Sequence, residues 1–408
     1  MKAFPHTLAL PQALGTGIII RSTRPIPPRI RTLAADYESV LSRFRADSTL
    51  AAMAAADRGG SFDFPGWAEP LFALYDRLYE ATDGAVDPCI GEALIRLGYG
   101  ADYALTSPAS PPLPAVDTMA VHAPTAHDPA TCDPTTHDPA GRAPIAYAPD
   151  ARIPTAYGPA TCDSTAHGPA ARASTVHAPA IRIPATHGPI AHAPTAHNPL
   201  APDTSPAPAE SPTSWSAMPP HPTWRDDVER HGATLVTRRA VHLDFGACGK
   251  GYLLDLIART MGRDPAAEFV IDAGGDLLVR TDAPITIALE DPHDTTRAVG
   301  TAAIASGAFC ASAPSRRHWA TAAGEQVHHL LSALDGAPVD DVAATWASVG
   351  ADSPEPTPAA LADGLATALF VADPARLAKF FRFECVVLRA DRTALRSRRF
   401  PGDLFIGA

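Results

Sequence analysis

Long apolar runs are absent from this sequence. No segment approaches the ~18 uninterrupted apolar residues that a bilayer-spanning helix needs, so no membrane insertion is expected. A block of basic charge is also missing: 33 Lys and Arg stand against 44 Asp and Glu, for a formal net charge of −11. That balance argues against nucleic acid and anionic membrane surfaces as partners. Cysteine is sparse, and the six present (Cys89, Cys132, Cys162, Cys248, Cys310, Cys385) form no CxxC pair and no framework spacing. They read as free thiols of a reducing compartment rather than a disulfide scaffold. An export signal is missing too. The first twenty residues hold Pro5, Pro11 and a single lysine, but neither an apolar core nor a small-x-small cleavage site. The expectation is a soluble, cytoplasmic protein.

What the chain does have, in excess, is proline. From His122 to Ala201 it repeats every five residues, and proline holds the third place in 14 of 16 blocks, with Ser164 and Ser174 in the other two. Proline at that density removes backbone donors and excludes helix interiors and central strands. Few large apolar side chains offset the entropy of ordering, so polyproline-II-like disorder is expected over about 105–222. Histidine often opens a block. Imidazoles on a disordered chain chelate metal without fixed geometry, so the repeat reads as a tolerated tandem duplication rather than a metal site. The remaining chain has ordinary globular composition. The expected organisation is one discontinuous domain, 1–103 with 225–408, interrupted by a low-complexity insertion at 104–224.

Within that domain, Ile30, Leu33, Tyr37, Val40, Leu41 and Phe44 recur at helical spacing, as do Leu71, Leu74, Tyr75 and Leu78. Helices are also expected at Tyr252–Met261, Ala359–Val371 and Pro374–Phe381. A hairpin is expected from Thr234–Thr237 and Ala240–Leu243. Further strands are expected at Glu268–Ile271, Ile285–Glu290, Thr301–Ala305, Trp346–Val349 and Cys385–Leu388. Helices and strands mix without regular βαβ alternation, which points to an α+β fold.

The most informative stretch is Asp244-Phe245-Gly246-Ala247-Cys248-Gly249-Lys250-Gly251-Tyr252. A small-residue turn between an extended segment and a helix lets backbone N–H groups approach a phosphate, with the helix N-terminus adding partial positive charge. Lys250 adds a full charge. The spacing is neither Walker A nor GxGxxG.

Several segments together, in order, resemble the FAD:protein FMN transferase (flavin transferase, ApbE) family. Leu14-Gly15-Thr16 resembles its Met-Gly-Thr, and Ser42-Arg43-Phe44 through Ser48 its Ser-x-Phe/Tyr-x-x-x-Ser. Thr82-Asp83-Gly84-Ala85-Val86-Asp87-Pro88 resembles Thr-Gly-Gly-Ala-Phe-Asp-Pro, and the glycine run resembles Asp-Leu-Gly-Gly-Ile-Ala-Lys-Gly-Tyr. Ala273-Gly274-Gly275-Asp276, Glu290-Asp291-Pro292, Ser306-Gly307 and Asp363-Gly364-Leu365-Ala366-Thr367-Ala368 follow. Departures fall in the His motif, His329-Leu330-Leu331-Ser332-Ala333-Leu334-Asp335-Gly336-Ala337-Pro338, which resembles the family's His-Ile-Ile-Asp-Pro-x-Thr-Gly-x-Pro with Ser332-Ala333 in place of Asp-Pro and Asp335 in place of Thr. Leu14 also replaces Met, Ala54 replaces Asn, and the repeat is foreign to the family.

The resemblance implies a single ApbE-like domain that moves FMN from FAD onto a Thr or Ser hydroxyl of a flavoprotein acceptor, releasing AMP with Mg²⁺. The alternatives are an FAD pyrophosphatase and a non-catalytic FAD-binding protein. By the same resemblance Asp363, Thr367 and the Ala247 carbonyl hold the metal, and His329 and Asp363 are catalytic. Leu14, Phe44, Ala85, Val86, Asp87, Asp244, Lys250 and Leu331 bind the cofactor. Asp363 and Thr367 stand i, i+4 on one expected helix, so a carboxylate and a hydroxyl face the same way. Imidazole titrates near neutrality, which suits His329 to acid–base work. Deleting 110–215 is expected to leave FAD affinity and melting temperature unchanged; a large fall in melting temperature would show that the repeat is structural.

Overall fold

The computed structural model describes residues 4–100, 181–182, 221–262, 264, 266–321 and 324–405. Apart from 181–182 and 221–224, the expected insertion lies outside the described residues, with the pentapeptide repeat, Cys132 and Cys162. The four described cysteines are all free and buried.

The described chain is a mixed α+β fold built on one large antiparallel sheet. Strands β1 (His6–Ala13) and β2 (Thr16–Ser22) form a hairpin. Helices α1 (Ile30–Leu41) and α2 (Thr49–Ala54), strand β3 (Gly60–Asp63) and helices α3 (Glu69–Ala81) and α4 (Gly91–Arg96) follow. A two-residue strand β4 (Ile181–Arg182) precedes helix α5 (Trp224–Asp227) and strands β5 (Val228–His231) and β6 (Thr234–Thr237). Helix α6 (Gly249–Met261) leads into β7 (Phe269–Ala273), β8 (Asp276–Asp291), β9 (Asp294–Ser312), β10 (His318–Ala320), β11 (Gln326–His328) and β12 (Val342–Gly350). Helices α7 (Pro358–Ala368) and α8 (Pro374–Leu377) and strands β13 (Glu384–Arg389), β14 (Thr393–Arg396) and β15 (Gly402–Leu404) complete the order. The main sheet runs β1-β2-β7-β8-β9-β12-β13-β14-β4, with β15 beside β9. Two small sheets, β3-β6-β5 and β10-β11, stand apart.

Strand β12 shows why the sheet is central. Its side chains alternate between two faces, as the strand period requires. Ala347 and Val349 enter the core shared with the helices, and Trp346 enters a second core with Val279, Phe309, Val386 and Phe400. Thr345, fully buried, donates its hydroxyl to the Ala366 carbonyl of α7. The first core is the place where α6 and α7 lie on the sheet.

Three expectations are corrected. The hairpin is β5 with β6, turning at Gly232-Ala233, and not Thr234–Thr237 with Ala240–Leu243. The 240–244 segment buries Val241 and Leu243 but joins no ladder. Its Asp244 N–H instead donates to the Pro88 carbonyl at 2.7 Å. Trp224, assigned to the insertion, belongs to the core: it is buried, its indole N–H donates to Asp76 Oδ1 at 2.8 Å, and its backbone N–H donates to Asp87. Composition around it is still proline-rich, which hid a single residue whose buried indole face outweighs its neighbours. The last two helices are also shorter than their periodicity suggests, ending at Ala368 and Leu377. The β1–β2 hairpin was not visible in sequence because its turn is Leu14-Gly15, both left-handed at φ 53° and 70°, rather than the favoured Asn-Gly.

Helix α7 begins at Pro358, and the residue before it, Thr357, supplies no side-chain cap. Asp255 of α6 supplies it from across the interface, accepting the Ala359 N–H at 3.2 Å and the Ala360 N–H at 2.9 Å. Burial pushes the Asp255 carboxyl up to about 7, against the pull of those two N–H groups. The folded protein therefore holds this proton more tightly than the unfolded chain, whose value is 3.8. The stability contributed is present below the unfolded value and is lost as pH rises through about 7. Asp255→Asn cannot ionise and is expected to lessen the fall of the unfolding free energy between about pH 4 and 7, by on the order of a few kcal/mol. Urea melts across that range check it, and an unchanged slope would assign the dependence elsewhere.

Candidate active site

The first turn of α6 is the centre of the site. Lys250 Nζ lies 3.0 Å from Asp363 Oδ1 of α7 and 3.3 Å from Asp276 Oδ2 at the start of β8. Both carboxylates are almost fully buried, while the lysine side chain is a quarter exposed. Asp363 Oδ2 accepts the Gly251 N–H at 3.0 Å. One ammonium thus faces two carboxylates, and the cluster keeps a net negative charge that attracts a further cation. Burial opposes the Lys250 charge, but Asp276 and Asp363 outweigh it and hold the ammonium above its ordinary range. Burial, reinforced by Asp276, raises the Asp363 carboxyl above the usual carboxylate range, while Lys250 and the Gly251 N–H pull it back.

Two glycines make this approach possible. A Cβ on Gly251 would overlap the Ala359 carbonyl and fall 2.8 Å from the Ala360 nitrogen, and one on Gly364 would fall 2.7 Å from both Cys248 Sγ and Leu78. The helices therefore cross with almost no side chain between them, which is what brings Lys250 onto Asp363.

Asp363 takes the Gly251 N–H, so the carbonyl of Ala247 accepts no hydrogen bond among the described residues. Thr367, one turn beyond Asp363 in α7, is half-buried, and its hydroxyl makes no hydrogen bond among the described residues. These three oxygens are the site's uncommitted or anionic donors. Among the described residues no group of three or more His, Cys, Asp and Glu could hold a metal, so any cation here relies on hydroxyl and carbonyl oxygens.

Other motifs converge on the same place through long-range backbone bonds. The Leu14 turn sits beside the glycine turn that precedes Asp276, since a Cβ on Gly274 would fall 2.6 Å from Thr16 Oγ1. Leu14 itself donates its N–H to Glu38 Oε1 at 2.7 Å. Ala85 and Val86 are buried, and the Ala85 carbonyl accepts the Ala333 N–H at 3.0 Å, joining the Thr82 motif to the His motif. Asp87 is occupied by scaffold: it accepts the Cys89 N–H at 2.7 Å and the Trp224 N–H at 3.0 Å. Burial nonetheless raises its carboxyl above the ordinary value.

Asp244 accepts the Gly246 N–H and pairs with Arg43 Nε. Phe44 and Leu331 share a small apolar cluster with Leu94, Leu97, Tyr99 and Trp319. Tyr99 stacks on Trp319 at 5.4 Å and meets Phe44 edge-on at 5.4 Å. The Arg317 guanidinium hydrogen-bonds the Tyr99 phenol.

His329 Nδ1 lies 3.3 Å from the Arg317 carbonyl. A carbonyl only accepts, so Nδ1 carries the proton and Nε2 keeps a lone pair. Burial, then the positive charges of Arg317 and Lys250, push its pKa down to about 3. The ring is neutral at neutral pH, so the expectation that it titrates near neutrality is corrected: burial and two positive neighbours disfavour its charged form. His328 differs: its Nδ1 accepts the Leu330 N–H, and its Nε2 lies 3.6 Å from Asp340 Oδ1. The altered motif keeps its loop through backbone bonds, from Ser332 N–H to Ala337 and from Gly336 N–H to Ser332.

Sequence reasoning passed over Arg43, Tyr99, Asp276 and Arg317 as site residues. Arg43 and Asp276 stand inside the segments that resemble the family's motifs, and their charge beside small residues was the available signal. Tyr99 and Arg317 carried none.

The comparisons with known proteins agree with this geometry. The sequence model of the ApbE family matches residues 186–387. The FAD:protein FMN transferase of Salmonella typhimurium is 26% identical over 104 residues, which is 24% of this chain and 30% of that protein's length. The ApbE protein of Thermotoga maritima superposes with a TM-score of 0.57 at 17% identity, covering 96% of this chain and 97% of that one. Flavin transferase ApbE of Vibrio cholerae superposes with a TM-score of 0.56 at 15% identity, covering 97% of each chain. At those identities the structures establish the fold, which is the ApbE fold. Motif order, family match and fold coincide: residues 186–387 match the ApbE family, and the described chain has the ApbE fold.

Proposed function

We propose that this protein transfers FMN from FAD to a Thr or Ser hydroxyl of an acceptor flavoprotein and releases AMP. The observation that carries the reading is the Lys250–Asp363–Asp276 cluster at the first turn of α6, beside a small-residue bend able to receive a diphosphate. In the reaction the acceptor oxygen bonds to the phosphorus of the FMN half. The phosphorus–oxygen bridge to the AMP half breaks, and AMP departs with the bridging oxygen. The hydroxyl proton must leave as the new bond forms, and the neutral His329 Nε2 is the acceptor we assign to it. Arg317, paired with no acid among the described residues, draws the diphosphate in and offsets its charge, while Lys250 holds Asp276 and Asp363 in place.

The oxygen donors present fit Mg²⁺, a hard cation that takes carboxylate, hydroxyl and carbonyl ligands. Asp363, Thr367 and the Ala247 carbonyl would hold it. When bound it supplies Lewis-acid neutralisation of phosphate charge. Leu14, Phe44, Ala85, Val86 and Leu331 are assigned to the walls around the dinucleotide. Asp87 is assigned to holding the Thr82 loop in shape. No helix among the described residues is long and apolar enough to cross a membrane, and the proposed acceptor is one that a cytoplasmic enzyme can reach.

Purified protein incubated with FAD, Mg²⁺ and a candidate acceptor tests the reading. Covalent flavin on the acceptor, with stoichiometric AMP, is the expected result. Free FMN and AMP formed without an acceptor would make the protein a pyrophosphatase. Bound, intact FAD would make it a carrier.

A further inference from the structure

Arg43 presents an unmet hydrogen bond. Its side chain is 8% exposed. Its Nε pairs with Asp244, and its Nη1 donates to the Tyr99 carbonyl at 2.9 Å. Its guanidinium carbon lies 4.2 Å from the centre of the Phe44 ring and 4.8 Å from that of Tyr99. The remaining nitrogen, Nη2, is buried without a hydrogen-bond partner. A buried donor left unpaired is costly, and natural structures keep few of them without a use.

The surroundings narrow what the missing partner is. Asp244 already balances the Arg43 charge, so the pair has no excess charge to attract a dianion. Phosphate is better served by Arg317, which is paired with no acid among the described residues. Arg43 lies over the rings of Phe44 and Tyr99, and Tyr99 in turn stacks on Trp319. A neutral acceptor inside an aromatic enclosure describes a ring carbonyl of a conjugated heterocycle. Asp244 also ends the segment that leads into the glycine bend, so a ligand reading Arg43 would sit one residue-turn from the phosphate seat.

We propose that Arg43 is a specificity-determining residue that donates its free Nη2–H to a carbonyl on the pyrimidine edge of the flavin ring, with Asp244 fixing its orientation. This rests on the FAD reading above and adds to it which end of the dinucleotide lies against the Phe44–Tyr99 wall. Adenine lacks a ring carbonyl, so the flavin end and the adenine end are distinguishable.

Calorimetric titration of wild type, Arg43→Lys and Arg43→Met with FMN and with ADP tests this. Lysine retains the charge opposite Asp244 but loses the fork geometry. Both variants are expected to bind FMN about tenfold or more weakly, with ADP affinity within about twofold of wild type. The absorption band of bound FMN is also expected to shift in Arg43→Lys, since a hydrogen bond to the ring carbonyl is lost. Three results would overturn the assignment: FMN affinity unchanged in both variants, which leaves Nη2 to a buried water; ADP affinity lost instead; or FMN and ADP weakened equally together with melting temperature, which makes Arg43 structural. If wild type binds neither ligand, the FAD reading falls, and this assignment with it.

Discussion

Asp363→Ala is expected to reduce FMN transfer by about a thousandfold or more while FAD still binds. Asp363 faces the Lys250 ammonium and the first turn of α6 with its two oxygens. Removing it deletes the proposed metal carboxylate and leaves Lys250 with Asp276 alone. The alanine variant also removes the α6–α7 bond to the Gly251 N–H, so a fall in activity by itself would be ambiguous. Asp363→Asn separates the two effects, because its amide oxygen can still accept from Gly251. It is expected to melt near wild type and to transfer no measurable FMN at any Mg²⁺ concentration. Activity within tenfold of wild type in Asp363→Asn would remove the metal assignment.

The second large effect is on folding. Gly251→Ala is expected to cost more than about 3 kcal/mol, because the added methyl overlaps backbone and backbone has no rotamer to yield. The new Cβ would meet the Ala359 carbonyl and the Ala360 nitrogen, the same turn that Asp255 caps. Relief requires α6 and α7 to separate, which would also draw Lys250 away from Asp363. Thermal unfolding should show a fall of many degrees together with loss of FAD affinity. A variant that melts normally would mean that the two helices have slack, and the close crossing would no longer explain the site. By contrast, Ala247 is proposed to act only through its carbonyl, so its side chain carries no comparable expectation.

How much of this was legible beforehand depends on range. Helices α1 and α3 follow from apolar spacing because each buries one stripe against a common core, whereas α6 and α7 are buried on nearly every side and read as runs of small and apolar residues. Strands β7, β12 and β13 follow from dense apolar runs. The β1–β2 hairpin did not, since a Leu-Gly turn lacks the usual composition. Of the two longest strands, β8 was visible only in its C-terminal part and β9 only in its middle, because β8 is interrupted by the half-exposed to exposed Arg280-Thr281-Asp282-Ala283 and β9 opens on the polar Asp294-Thr295-Thr296-Arg297. In the site, Asp363 and Thr367 were readable as a pair because a helix turn relates them. Asp276 and Arg43 were not readable as partners of Lys250 and Asp244.

By itself, the sequence determined the family's motif order, the small-residue bend before α6, and the shared helix of Asp363 and Thr367. These are local properties, set by residue type, spacing and backbone geometry within a few turns. Only the tertiary structure decided that Lys250 rests on Asp363, 113 positions away, that Arg43 meets Asp244, 201 positions away, and that Asp255 caps a helix it does not belong to. Periodicity shows which face of an element is buried, whereas the charge opposite that face depends on how the elements cross. Here that crossing is set by two glycines that let α6 and α7 touch.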